Sequence, residues 1–254
     1  MDVTLVNKII QDIYASGKVV GKDGKVHELH SAIDPEEGRF IYNIIEKDPS
    51  LCTCLEIGCA YGLASLHICA ALQNRPGATH TIIDPFQRSS WDGVGIRNLE
   101  DAGIDIVHLI EKKSEFALPE LLADGEERFD FVFIDGWHTF DHTLLDCFYA
   151  TRLLRKDGIL VIDDVTYPAV RRVVEYLRRY PCYEESGSVS EDVPAAWKVK
   201  IARMLALPVN KEKWIKILAP TFYRKIFDRQ KVRMIALRKT KKDERNWEWH
   251  DEAF

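Results

Sequence analysis

Two apolar stretches of this chain stop abruptly on carboxylates. Residues 131–138 read FVFIDGWH and residues 158–165 read GILVIDDV. Asp135 therefore ends one run, and the pair Asp163 and Asp164 ends the other. In an open α/β sheet, ligands bind outside the carboxyl ends of the strands, and all three acids fall at such ends. Converging carboxylates repel one another, and without a cation one of them is driven towards protonation. A hard divalent cation such as Mg²⁺ removes that cost and takes oxygen ligands. Each acid taken singly would serve equally as a helix cap; the three together point to a cation site. His138 follows Asp135 by three residues. A neutral imidazole, with an ordinary pKa near 6.5, suits a general base at neutral pH, the plainer alternative being a surface or capping histidine. Trp137 lies between them, placed either to pack on a flat ligand ring or to seal the strand end. His142 and Asp146 follow at helical spacing and could orient His138.

Three further segments fall at strand ends. LEIGCAYGLASL at 55–66 ends a strand on Glu56 and carries Gly58 and Gly62 into a helix. Such glycines let a ligand approach the backbone, and the helix start offers free N–H groups. The spacing is G-x-x-x-G rather than the dinucleotide G-x-G-x-x-G. An acid beside the turn would also repel a pyrophosphate, which favours a ligand with a cationic amino acid end. TIIDPF at 81–86 closes the next strand on Asp84, an acid placed to accept both hydroxyls of a ribose. KKSEFALPEL at 112–121 starts a helix with Ser114 and Glu115, which serve as a simple cap or meet an adenine edge.

The elements that must position these residues alternate along the chain. Apolar spacing predicts helices over 3–14 and from Asp34 to about 48, then near 62–73, 92–102, 114–123, 140–154 and 167–179. Between them TCLEIG, HTIIDP, IDIVHLIEK, FDFVFIDG and GILVIDD read as strands, and VRMIALRKT as a last one. Several are continuous apolar runs, the pattern of parallel strands covered on both faces. The expected fold is α/β, a doubly wound, mostly parallel sheet flanked by helices. One domain should cover 1–254: N-terminal helices at 1–48, a cofactor-binding core at 50–195, a helical insert at 196–229, and a last strand and tail at 230–254. The insert is expected to add core or dimer contact.

Bulk composition excludes several classes. The chain has 254 residues, 46% of them hydrophobic, which is ample for a core of this size. A net charge of −5 argues against a nucleic-acid or anionic-membrane protein, although basic residues dominate from Lys198 to Lys242. The six cysteines show neither a disulfide framework nor C-x-x-C metal spacing. No apolar run is long enough for a membrane span and no signal peptide is evident, so the expected location is the cytoplasm.

These motifs, in this order, resemble those of the class I S-adenosylmethionine-dependent methyltransferases. More narrowly they are similar to the cation-dependent O-methyltransferases of the catechol and caffeoyl-coenzyme A type and their bacterial small-molecule and sugar-modifying relatives. The resemblance runs from DPEEGRF to VIDDV, over half the chain. It implies that Glu56, Gly58, Ala60 and Gly62 line the methionine end of the cofactor. Asp84 would hold the ribose, Ser114 and Glu115 the adenine, and Trp137 would stack near it. Asp135, also a cofactor contact, would bind Mg²⁺ or another divalent cation with Asp163 and Asp164. Asp135 and His138 would be the catalytic residues. Catechol-type members carry lysine in place of His138 and often asparagine in place of Asp164. The implied reaction is methylation of a hydroxyl on a small molecule, a sugar diol or a catechol-like phenol. Other readings are a metal-independent methyltransferase of the same fold, an NAD-dependent oxidoreductase, or a cofactor-binding protein without catalysis. Related enzymes are often dimers, and the opening helix could serve a homodimer.

Overall fold

The computed structural model describes residues 3–21, 23–192 and 230–250. Helix α1 (Val3–Ser16) is followed by a short hairpin, β1 (Lys18–Val20) with β2 (Val26–Glu28), and by α2 (Pro35–Lys47). Strands and helices then alternate: β3 (Thr53–Ile57), α3 (Leu63–Leu72), β4 (Thr79–Ile83), α4 (Val94–Asp101), β5 (Val107–Ile110), α5 (Ser114–Ala123), β6 (Phe129–Ile134), α6 (Phe140–Leu153), β7 (Leu154–Ile162) and α7 (Pro168–Leu177). Two long strands complete the described residues, β8 (Tyr183–Asp192) and β9 (Gln230–Lys239).

The main sheet has the order β5-β4-β3-β6-β7-β9-β8. The β3, β4, β5, β6 and β7 strands are mutually parallel; β9 runs antiparallel to both β7 and β8. All six residues of β6 are buried, which is why its sequence is apolar without alternation. Helices cover both faces. Val6, Ile41, Leu66 and Leu99 belong to the core on one face, and Leu118, Ala150 and Val173 to the core on the other. After β3 the chain builds outward through β4 and β5, then returns to lay β6 on the other side of β3. The β3/β6 boundary is thus the topological switch point, where open α/β sheets bind ligands.

Helix α2 starts as its sequence requires. Asp34 accepts from the N–H groups of Glu36 and Glu37, the Glu37 carboxylate accepts from Asp34 N at 2.9 Å, and Pro35 occupies the first turn. Arg233 of β9 pairs with Asp34, Glu36 and Glu37 together, binding this helix start to the far side of the sheet.

Two stretches outside the elements expected from apolar spacing also form strands. The polar segment after α1 forms the β1–β2 hairpin, registered Val19 to His27. YEESGSVSED, a polar stretch, forms β8 because β9 supplies a ladder for it at the sheet edge. Val6, Ile10 and Ile13 on the apolar stripe of α1 are buried in the core. The expected helical insert at 196–229 lies outside the described residues. Among the described residues no helix is long and apolar enough to cross a membrane.

Candidate active site

Gly58 and Asp135 leave adjacent strands at the switch point, and their backbones nearly touch. A Cβ on Gly58 would stand 2.1 Å from the Asp135 carbonyl oxygen, and Gly58 has φ +89. Only glycine satisfies both conditions. Asp84, at the end of β4, is buried and holds the turn from beneath. Its Oδ2 accepts from Cys59 N and Ala60 N, each at 3.1 Å, and from Gln87 Nε2 at 2.8 Å; Oδ1 accepts from Phe86 N at 2.8 Å. A carboxylate has about four acceptor sites, so Asp84 keeps room on Oδ1 for one ligand hydroxyl rather than the two expected. The Cys59 and Ala60 N–H groups are taken by Asp84.

Glu56 is fully buried beneath this turn, accepting from Ser65 Oγ at 2.5 Å and pairing with His80 Nε2 at 2.7 Å. Its Oε1 has no partner, and the residue faces a small side cavity under Cys59, Ala60 and Tyr61 rather than the main one. Gly62 lies outside the main cavity as well; at φ +79 it is the N-cap of α3.

Beyond Asp84 the wall is aromatic. The rings of Phe86 and Trp137 are parallel within 5°, their centroids 6.4 Å apart, and Lys113 Nζ stands 5.3 Å from the Trp137 ring centroid. Ser114 and Glu115 line the same region at the start of α5. Ser114 does not cap that helix, since Lys113 holds the N-cap position. His142 bonds Thr139 Oγ1 at 2.8 Å and packs on Trp137, and Asp146 lies beneath Ser114 and Gly136. Both therefore belong to the aromatic end and do not orient His138.

The acids occupy another part of the same cavity. His138 Nε2 is 2.7 Å from Asp164 Oδ2 and 3.7 Å from Asp135 Oδ1, and its ring stacks on Tyr167. Asp164 reaches it from a left-handed backbone, φ +55, a conformation uncommon outside glycine and tolerated by Asp. The neighbouring Asp135 and Asp164 carboxylates raise the imidazole to about 10. In this arrangement His138 is an imidazolium at neutral pH, not the neutral base that its ordinary pKa suggests. Burial, with the nearby Asp164 charge, lifts Asp135 to about 6. Asp163 is buried, and burial together with the charges of Asp135 and Glu37 pushes it to about 9.

One donor atom each from Asp135, His138 and Asp164 lies within 4.8 Å of the others. Two carboxylates and an imidazole so close form a donor set that fits a divalent cation. Asp163 lines the cavity without joining this convergence, and His138 stands where the third acid was expected.

The cavity, about 500 Å³, joins the turn at Gly58 and Ala60, Asp84, the Phe86–Trp137 wall and the acids, a size suited to small ligands. Glu37, Phe86, Trp91 and Tyr167 also line it and were not singled out from the sequence. The signal for Phe86 was present, two residues after Asp84 in TIIDPF. For Glu37 none was, because it reaches the cavity from α2, far from the strand-end motifs; Tyr167 follows Asp164 by only three residues.

Sheet order, glycine turn and strand-end acids define a Rossmann-like methyltransferase domain. Residues 55–165 match the family model described as a methyltransferase domain. Catechol O-methyltransferase B of Danio rerio is 34% identical over 134 residues, 51% of this chain and 48% of that protein, so the chain spans about half the length of the curated relative it matches. Among solved structures, an O-methyltransferase from Bacillus cereus in complex with SAH shares the fold at a TM-score of 0.61 and 15% identity, over 94% of this chain and 92% of that one. The O-methyltransferase TomG from Streptomyces achromogenes, in complex with SAM, aligns at a TM-score of 0.57 and 22% identity, over 74% and 83%. The resemblance read from the motifs stands on these matches.

Proposed function

We propose that this protein is an S-adenosylmethionine-dependent O-methyltransferase that methylates a hydroxyl of a small molecule with the help of a divalent cation, in the cytoplasm and without a nucleic-acid partner. The observation that carries this reading is the convergence of Asp135, His138 and Asp164 in one cavity with the glycine turn and Asp84. Phe86 and Trp137 would flank the adenine, a parallel pair needing only a small opening to admit a flat ring. Asp84 would accept from the ribose through Oδ1, and Ser114 and Glu115 would meet the base.

Asp135 and Asp164 would hold the cation, with the buried Asp163, whose carboxyl is driven towards the neutral form, beside them. When bound, the cation supplies positive charge that lets an acceptor hydroxyl ionise near neutral pH, and the sulfonium supplies the methyl group. With the two carboxylates so engaged, His138 loses the pairing that raises its pKa, and Nε2 becomes able to take the acceptor's proton. Tyr167, stacked on His138, and Glu37 would form the acceptor side. An acceptor with vicinal oxygens, a catechol or sugar diol, suits this group of side chains.

A metal-independent reading has one observation in its favour: His138 already bridges both acids and, as an imidazolium, neutralises part of their charge. Transfer of an isotopically labelled methyl group to a panel of catechols and diols separates the two. Turnover should vanish in chelator and return with Mg²⁺ or Mn²⁺. Full turnover in chelator selects the metal-independent reading, and absence of any cofactor binding by calorimetry sinks both.

A further inference from the structure

Glu37 of α2 is a buried carboxylate on the cavity wall, and the proposed methyl transfer draws on none of its charge. Its side chain is fixed from behind. Oε2 accepts from Asp34 N at 2.9 Å, and Oε1 stands 3.3 Å from Arg233 Nη1. Arg233 lies on β9, and its carbonyl accepts from Val165 N at 2.8 Å, next to Asp164. One residue of β9 thus ties Glu37 to the strand end that carries the acids, away from the aromatic wall. The charge of Glu37 is felt there, adding to burial and to Asp135 in lifting Asp163.

This charge is only partly answered. Arg233 is shared among Asp34, Glu36 and Glu37, one guanidinium for three carboxylates, and does not line the cavity. Among the described residues that line the cavity, the one lysine or arginine is Lys113, at the aromatic end against Trp137. A cation held by Asp135 and Asp164 would balance those two acids and leave Glu37 unbalanced. Partly buried charges are screened far less than exposed ones, so an anionic group brought beside Glu37 is repelled. Built-in repulsion of this kind is how a site rejects one ligand in favour of another. We propose that Glu37 is a specificity-determining residue that admits uncharged acceptors and turns away those carrying a carboxylate or a phosphate. The inference rests on the proposed methyl transfer at this end of the cavity, and narrows its acceptor to hydroxyl compounds without an anionic group.

The test is calorimetric titration of catechol and of 3,4-dihydroxybenzoate, which differ by one carboxylate, into the wild type, Glu37→Gln and Glu36→Gln. Each protein is first saturated with Mg²⁺ and S-adenosylhomocysteine. The wild type should prefer catechol by on the order of 30-fold, the effect of one like charge about 8 Å away in surroundings of intermediate polarity. Glutamine serves as well as glutamate at this position of a helix start, so Glu37→Gln keeps the bond from Asp34 N. It should cut the preference to about 3-fold, the remainder being the pull of the other acids. Glu36→Gln removes an equal charge from the same Arg233 group but outside the cavity, and should keep the wild-type preference. A preference unchanged in Glu37→Gln overturns the proposal, as does one lost equally in Glu36→Gln. Should Glu37→Gln fail to fold, 3,4-dihydroxybenzylamine reads the same charge with the opposite sign in the wild type, and weaker binding than catechol is equally fatal. Binding of neither catechol nor its carboxylate by a protein that takes up S-adenosylhomocysteine also overturns the proposal. Failure to bind S-adenosylhomocysteine overturns the methyltransferase reading instead, so the two failures are distinguishable.

Discussion

His138 Nε2 sits 2.7 Å from Asp164 Oδ2, a charge-assisted contact within the cluster of strand-end acids. The imidazole is itself a cation there, held between the Asp135 and Asp164 carboxylates, which lift it to about 10. Its charged form persists below that value and is lost only as the pH rises through it. NMR titration of the His138 ring should therefore show no transition between pH 6 and 8 in the metal-free wild type. Asp164→Asn tolerates the same left-handed backbone but removes one of the two charges, and should bring the transition down. A wild-type ring that titrates near its ordinary value of about 6.5 would contradict the observed pairing.

The closest backbone approach in the site predicts a contrast between two glycines. At Gly58 a methyl group would meet the Asp135 carbonyl at 2.1 Å, whereas at Gly77, φ +73, it would meet nothing within 4 Å. Gly77→Ala should cost about 1 kcal/mol, the strain of positive φ alone. Gly58→Ala should cost on the order of 3 kcal/mol or more, because strand ends must also separate. Urea unfolding of both variants measures the difference, and equal costs would remove the argument that glycine is required by the β3–β6 approach.

Acid stability should depend on His67. This residue of α3 is 8% exposed, its Nε2 has no partner, and Gly38 of α2 packs against the ring. Burial, with a smaller contribution from Arg39, lowers its pKa to about 4. The unfolded chain takes up the proton near pH 6.5 and the folded one only near pH 4, so the stabilising effect is complete above pH 6.5 and is lost between those values. The loss amounts to about 3 kcal/mol. Buried Asp146 and Asp163 act in the opposite direction, so the informative quantity is the difference between wild type and His67→Gln. Unfolding free energies at pH 7.5 and pH 4.5 should fall less in the variant; identical falls would show that His67 does not govern this window.

The parallel half of the fold was legible because burial on both faces forces continuous apolar runs such as FDFVFI in β6. The strand β8 was not, since its stability comes from a partner that follows much later in the chain and its edge position permits polar residues. At the site, residue types were legible but directions were not. Three acids at strand ends announced a concentration of charge. Which of them converge depends on the left-handed turn at Asp164 and on His138 folding back from the start of α6, and neither leaves a mark in local composition. Likewise Asp84 was recognisable as a strand-end acid, whereas its bonds to the Cys59 and Ala60 amides follow only from the packing of β4 beside β3.

The antiparallel pair β8–β9 ends on the rung Asp192–Gln230. That end points to the same rim as the acids, since Val165, next to Asp164, donates its N–H to the Arg233 carbonyl at 2.8 Å. Asp192 and Gln230 thus meet across one rung at the edge of the sheet, and the parallel registers of β3 to β7 are set before the chain reaches it.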